Sequence, residues 1–253
     1  MVKRLTKGEC FLCNESFTKQ GTGRHLESCQ KENFKVEEGG DTIHLGVHGR
    51  HRPEYWMHLA VRSETTLEEL DTFLRDVWLE CCGHMSAFTI EETRYATGAG
   101  IDAMWVDTGF TPQAEKGMDV RVSELLRPGT KFHHEYDFGS TTELSLKVVS
   151  RWEGQADEPI LILARNKTPS IECSCGNEAT KVCGIHAHTD RGWLCEECAP
   201  RHECGEDMLL PVVNSPRTGV CGYVGSDVTF EQSPSGGLRP VSDKRERGWY
   251  FPD

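Results

Sequence analysis

The chain has 253 residues, room for one ordinary domain with small appendages, and only 37% of them are hydrophobic. Its formal charge of −12 argues against a broad, sequence-independent grip on nucleic-acid phosphates, which needs clustered Lys and Arg. The longest apolar run, Ile160 to Ala164, is strand-sized and far short of the ~20 residues of a membrane helix. Met1 to Lys7 carries positive charge with no apolar stretch behind it, so it does not read as a secretory signal.

Twelve cysteines would suit a disulfide framework in a secreted protein. Here most lie in or beside metal-like spacings with histidines interleaved, which points instead to a cytoplasmic zinc protein.

In chain order, residues 1–33 read as a zinc finger. Cys10 and Cys13 make a CxxC knuckle, and His25 and Cys29, four apart, share one helix face, so all four donors can meet one ion. Phe17 and Leu26 are placed to fill the small core under it. Residues 34–51 are polar and glycine-bearing, and they read as a linker that happens to hold His44, His48 and His51.

The main domain is expected over 52–166. Tyr55, Met57, Leu59 and Val61 alternate as in a strand, and Thr66 with Glu69 forms a capping box. The helix that follows carries Leu67, Leu70, Leu74, Val77, Trp78 and Cys81 on one face. On it, the adjacent Cys81 and Cys82 read as small buried hydrophobes. A turn-rich stretch around Trp105 follows. Phe132, His134, Tyr136 and Phe138 share one face of a hairpin strand, and Leu144, Leu146, Val148 and Trp152 face the core from its partner. The class is α+β: an antiparallel sheet with one main packed helix, flanked by zinc-stapled modules.

Residues 171–225 hold the strongest chemistry. Four ligand pairs follow one another: Cys173/Cys175, Cys183/His186, Cys195/Cys198 and His202/Cys204. A segment too short to bury a core can interleave such pairs, the first and third on one ion, the second and fourth on another. A cross-braced, two-zinc module is expected, so the whole chain should hold three Zn2+ ions. His188 is an alternative to His186, and Cys221 to His202 or Cys204. Leu209 to Tyr223 should be an extended segment packed on this module. Residues 226–253 read as a mobile tail, with docking or disorder left open for Trp249-Tyr250-Phe251.

The capped leucine-rich helix followed by Tyr136-Asp137-Phe138-Gly139 before an alternating strand resembles the plasmid pRiA4b ORF-3-like family over about 52–166. The chain departs from that pattern where relatives continue with Asp and Trp, having Ser140 and then Thr141-Thr142-Glu143. The resemblance implies a fold and little about activity. In ligand order the C-terminal module resembles B-box and MYND-type cross-braced modules, which implies protein binding.

The kinase-like match of Asp137-Phe138-Gly139 is rejected, because no glycine-rich phosphate loop accompanies it. The expected function is a non-enzymatic adapter or scaffold docking macromolecular partners, foremost a protein. A nucleic-acid or ribonucleoprotein factor using Arg191, Arg201 and Arg217 is the alternative. A metal-dependent hydrolase would need a pocket lined by His133, Glu135 and Asp137.

Overall fold

The computed structural model describes residues 6–98 and 115–241. Trp105 and the Trp249-Tyr250-Phe251 cluster lie outside the described residues. The architecture is sheet-dominated. The strands in chain order are β1 (Lys7–Cys10), β2 (Ser16–Thr18), β3 (Glu37–Gly49), β4 (Trp56–Arg62), β5 (Ser86–Ile90), β6 (Thr93–Ala96), β7 (Lys131–Tyr136), β8 (Thr142–Gln155) and β9 (Ile160–Asn166). Then come β10 (Lys181–Cys183), β11 (Trp193–Leu194), β12 (Leu209–Pro211), β13 (Thr229–Gln232) and β14 (Leu238–Val241).

Among the described residues one eleven-stranded sheet runs β13-β14-β9-β4-β3-β8-β7-β5-β6, with the β1–β2 hairpin also joined to β9, and its strand pairs are antiparallel. A second sheet, β11-β10-β12, belongs to the C-terminal module.

The expectation of one main packed helix is corrected: each face of the large sheet carries its own helix. On one face lies α2 (Leu67–Leu74), opened by the capping box and continued by a π-helical turn over Arg75–Leu79. Leu67, Leu70, Leu74, Val77 and Trp78 pack there on Ile43, Leu45, Leu59, Phe88, Phe132, Leu146 and Ile162. Strand side chains alternate, so the intervening residues face the other way. On that second face Trp56, Ala60, Leu161 and Leu163 meet Leu26 and Cys29 of the finger helix, α1 (Lys19–Asn33).

The reading of 34–51 as a linker is also corrected. Glu37–Gly49, most of that stretch, forms β3, which pairs with both β4 and β8 in the middle of the sheet. Glycines and histidines masked a strand whose apolar positions, Ile43, Leu45 and Val47, do alternate. The ring of His58 shares a 2.9 Å hydrogen bond with the wholly buried His44. A register shift between His44 and Leu45 is a bulge in β8, and one extra residue flips the parity of the strand. Trp152 therefore leaves the face of Leu146 and Val148 and packs beside Phe34 and His44 on the finger side.

Over its described part, to residue 241, the tail is built into the sheet. β13 and β14 make a hairpin that reaches β9 at Leu238, while Gln232 donates to the carbonyl of Phe11. The finger is likewise no separate bead. β1 pairs with β9, and a Cβ on Gly8 would lie 2.3 Å from the Trp56 ring, so only glycine allows this approach. In the 171–225 region the apolar support is small: Ile171, Ala179, Val182 and Trp193.

Candidate metal centres

Among the described residues four sets of four donors gather, each set lying within 4.8 Å. The scale of a metal site is set by simple geometry. With zinc–sulfur and zinc–nitrogen bonds of about 2.3 and 2.0 Å, a tetrahedron puts two sulfurs about 3.8 Å apart and a sulfur and a nitrogen about 3.5 Å apart. A disulfide would bring its sulfurs to about 2.05 Å.

In the finger, Cys10 closes β1 and Cys13 follows in a tight turn where Asn14 has a left-handed φ of 61°. Thr18 caps α1, whose next turns carry His25 and Cys29. The sulfurs of Cys10 and Cys29 are 3.9 Å apart, and Cys13 Sγ is 3.3 Å from His25 Nε2. Phe17 stacks on the imidazole at 3.8 Å, fixing its plane. Burial, and then the neighbouring Cys10 and Cys13, push the Cys29 thiol up to about 12. A dication held at the centre would relieve that crowding by stabilising the thiolates.

In the C-terminal module the pairs interleave. Cys173 and Cys175 meet Cys195 and Cys198, while Cys183 and His186 meet His202 and Cys204. Cys175 and Cys195 sulfurs are 3.5 Å apart. His186 Nδ1 lies 3.8 Å from Cys183 Sγ, 3.5 Å from Cys204 Sγ and 3.4 Å from His202 Nε2. Neighbouring thiols, Cys175 first, raise Cys198 to about 12. Burial raises the Cys173 thiol, yet the amides of Cys175 and Cys195 outweigh it and bring that thiol to about 6. The turn that crosses the two sites is tight: a Cβ on Gly192 would sit 2.1 Å from the carbonyl oxygen of His186. His188 is exposed and belongs to none of the sets.

A fourth set was not read in the sequence: Cys81, Cys82, His84 and Cys221. The expectation of two buried apolar cysteines is corrected, since Cys82 is exposed and Cys81 half-buried. Cys221, left open as a stand-in for His202 or Cys204, sits here instead. A CCxH run followed by a distant Cys-Gly was the available signal, but its two halves are 137 residues apart.

The residues weighed for catalysis do not converge. Glu135 pairs with Arg94 at 2.6 Å, whereas Asp137 lies past the strand end with a φ of 64° and pairs with Arg217 at 2.7 Å. Arg217 is wholly buried, so it contributes nothing to a surface patch. It donates to Asp137 of the family's own stretch, and to the carbonyl of Ser140 and the hydroxyl of Thr142, two of the positions where the chain departs from the family pattern.

No curated protein matches the chain. Among solved structures, it is similar to a protein of unknown function, MM3350 from Methanosarcina mazei Go1. Identity there is 12% and the TM-score 0.40, over 50% of this chain and 69% of that one. The model of the plasmid pRiA4b ORF-3-like protein family matches residues 43–191, well over half of the chain, from β3 through the first two ligand pairs of the C-terminal module. The chain belongs to the plasmid pRiA4b ORF-3-like family.

Proposed function

We propose that the protein is a non-enzymatic, zinc-binding adapter that docks a protein partner through its cross-braced module. The observation that carries this reading is closure. The finger and both C-terminal sets offer four protein donors each, whereas a catalytic zinc keeps one position for water. Three zinc ions then act as staples, replacing the core that Ile171, Ala179, Val182 and Trp193 are too few to supply. The thiols must stay reduced to bind them, which suits the cytoplasm. No helix among the described residues is long and apolar enough to cross a membrane.

A protein partner is favoured over nucleic acid by charge. Around the exposed Arg191 and Arg201 stand the exposed Asp190, Glu196, Glu197, Glu203, Glu206 and Asp207, a surface that repels phosphate. A basic protein surface is the complementary partner. The test is affinity capture by the full-length protein, with nuclease treatment, against a Glu196→Lys/Glu197→Lys/Glu203→Lys variant. Capture of one protein that survives nuclease and is lost in the variant, at unchanged zinc content, supports the reading. Capture abolished by nuclease overturns it.

A further inference from the structure

We infer that Cys81, Cys82, His84 and Cys221 form a fourth zinc site, which clasps the C-terminal segment to the central domain. This goes beyond the adapter reading and stands whether or not a partner docks. The donor separations have the edges of a coordination tetrahedron. Cys81 and Cys82 sulfurs are 3.4 Å apart, Cys82 and Cys221 sulfurs 4.0 Å, and Cys221 Sγ is 3.4 Å from His84 Nε2. Three thiolates and an imidazole are the borderline-soft set that zinc selects over magnesium or calcium.

The protein shapes both halves of this set before any metal arrives. The π-helical turn ends on Glu80, and the loop that follows is wound around two fixed oxygens. The Glu80 carboxylate accepts from the amide of Gly83 at 2.6 Å and is itself held by Arg75 at 2.7 Å. The Tyr136 hydroxyl accepts from the amides of Cys81 and His84 at 3.4 and 3.3 Å while donating to Glu80 at 2.8 Å.

On the other half, Arg217 anchors the turn that presents Cys221, whose φ of 48° is a strained value for a side chain of this kind. The same guanidinium lies 3.3 Å from Cys81 Sγ, where its N–H supports a thiolate, and it bonds Asp137. Asp137 lies 3.6 Å from His84 Nε2, the nitrogen that would face the metal, so its support reaches this set through Arg217. Tyr136 and Asp137, the first half of the family's Tyr-Asp-Phe-Gly stretch, are thus the supports around these donors.

The site differs from the other three in what it joins and in its exposure. Each of the others is built from residues close in sequence, and each has at least one buried cysteine; here none is buried, and Cys82 and Cys221 are both exposed. A cleft of about 380 Å³, lined by Cys81, Glu80, Gly222 and Tyr223, opens beside it. Solvent access should make this zinc the first to leave under a chelator.

The experiment uses the full-length protein, equilibrated with micromolar zinc and desalted. Elemental analysis should return four zinc per chain in the wild type and three in both Cys221→Ala and Cys82→Ser, each changed at an exposed position. Cobalt substitution should show tetrahedral cobalt–thiolate bands that weaken by one site's share in those variants. Hydrogen exchange should quicken across 209–225 while β3, β4 and β9 keep their protection. Three zinc in wild type and variants alike would overturn the site. So would Cys82 and Cys221 reacting with a thiol reagent in the zinc-loaded protein as fast as after chelation. Loss of zinc from Cys10 or Cys183 variants, by contrast, bears on the adapter reading and leaves this site standing.

Discussion

Single residues in this protein show how strongly burial governs chemistry. Burial first, then the charge of Lys19, pulls His58 down to about 4, and burial with His58 nearby pulls His44 well below the ordinary histidine range. Both rings are neutral when folded. Between the usual histidine range near 6.5 and about 4, the unfolded chain binds a proton at His58 that the folded one refuses. The stability that His58 contributes is therefore present above pH 6.5 and is lost as pH falls toward 4. The gap corresponds to about 3 kcal/mol. His58→Gln keeps a hydrogen-bonding group opposite His44 and cannot titrate. Denaturation in saturating zinc from neutral to mildly acid pH should lose stability less steeply in that variant. Parallel slopes would show that His58 takes up its proton as readily in the native state as in the unfolded chain.

Arg217 makes the same point for charge. Wholly buried, it is balanced by Asp137, Ser140, Thr142 and the Tyr136 ring at 4.8 Å. Arg217→Ala leaves a buried carboxylate without its partner and should cost about 3–5 kcal/mol. Denaturant melts check the loss, and adding Asp137→Asn should recover part of it.

Among the elements, α2 is the one whose local sequence and tertiary role agree most fully. Thr66 accepts from the Glu69 amide at 3.2 Å and Glu69 returns the bond to the Thr66 amide at 2.7 Å. Thr66→Ala should cost about 1 kcal/mol, seen as a lower denaturation midpoint with an unchanged slope. The buried pair beneath this helix, His134 and Asp71 at 2.6 Å, was not legible, since His134 reads as one more apolar-face residue of β7. β3 was illegible for a related reason. Its polar members are paired inside the protein, His44 with His58 and Thr42 with the carbonyl of Gly154, so composition pointed to solvent while tertiary bonds supplied burial.

At the scale of the whole molecule, the end units are sewn to the sheet. β1 lies on β9, the hairpin β13–β14 reaches the same strand, and Asn214 exchanges hydrogen bonds with Asn166. Modules stapled by metal would melt independently if they were beads on a string. With this packing, chelation should instead weaken protection at β9 and β4 together with the finger, a loss that hydrogen-exchange mass spectrometry resolves segment by segment. Full retention of protection at β9 after zinc removal would show that β1 adds nothing to it.

What the sequence determined by itself were the features that close over a few residues. The knuckle Cys10/Cys13, the helical pair His25/Cys29, the four ligand pairs from Cys173 to Cys204 and the Thr66–Glu69 cap each rest on a fixed local spacing, and spacing is what a chain states outright. The tertiary structure alone decided which distant groups meet. It moved Arg217 from an expected surface into the core, turned a histidine-bearing linker into a central strand, and set Cys221 against Cys81, Cys82 and His84. Such encounters depend on sheet order, on a bulge that flips Trp152 and on a turn held by one guanidinium. None of these leaves a periodic trace, because a contact across more than a hundred residues is set by packing and not by the neighbours of either partner.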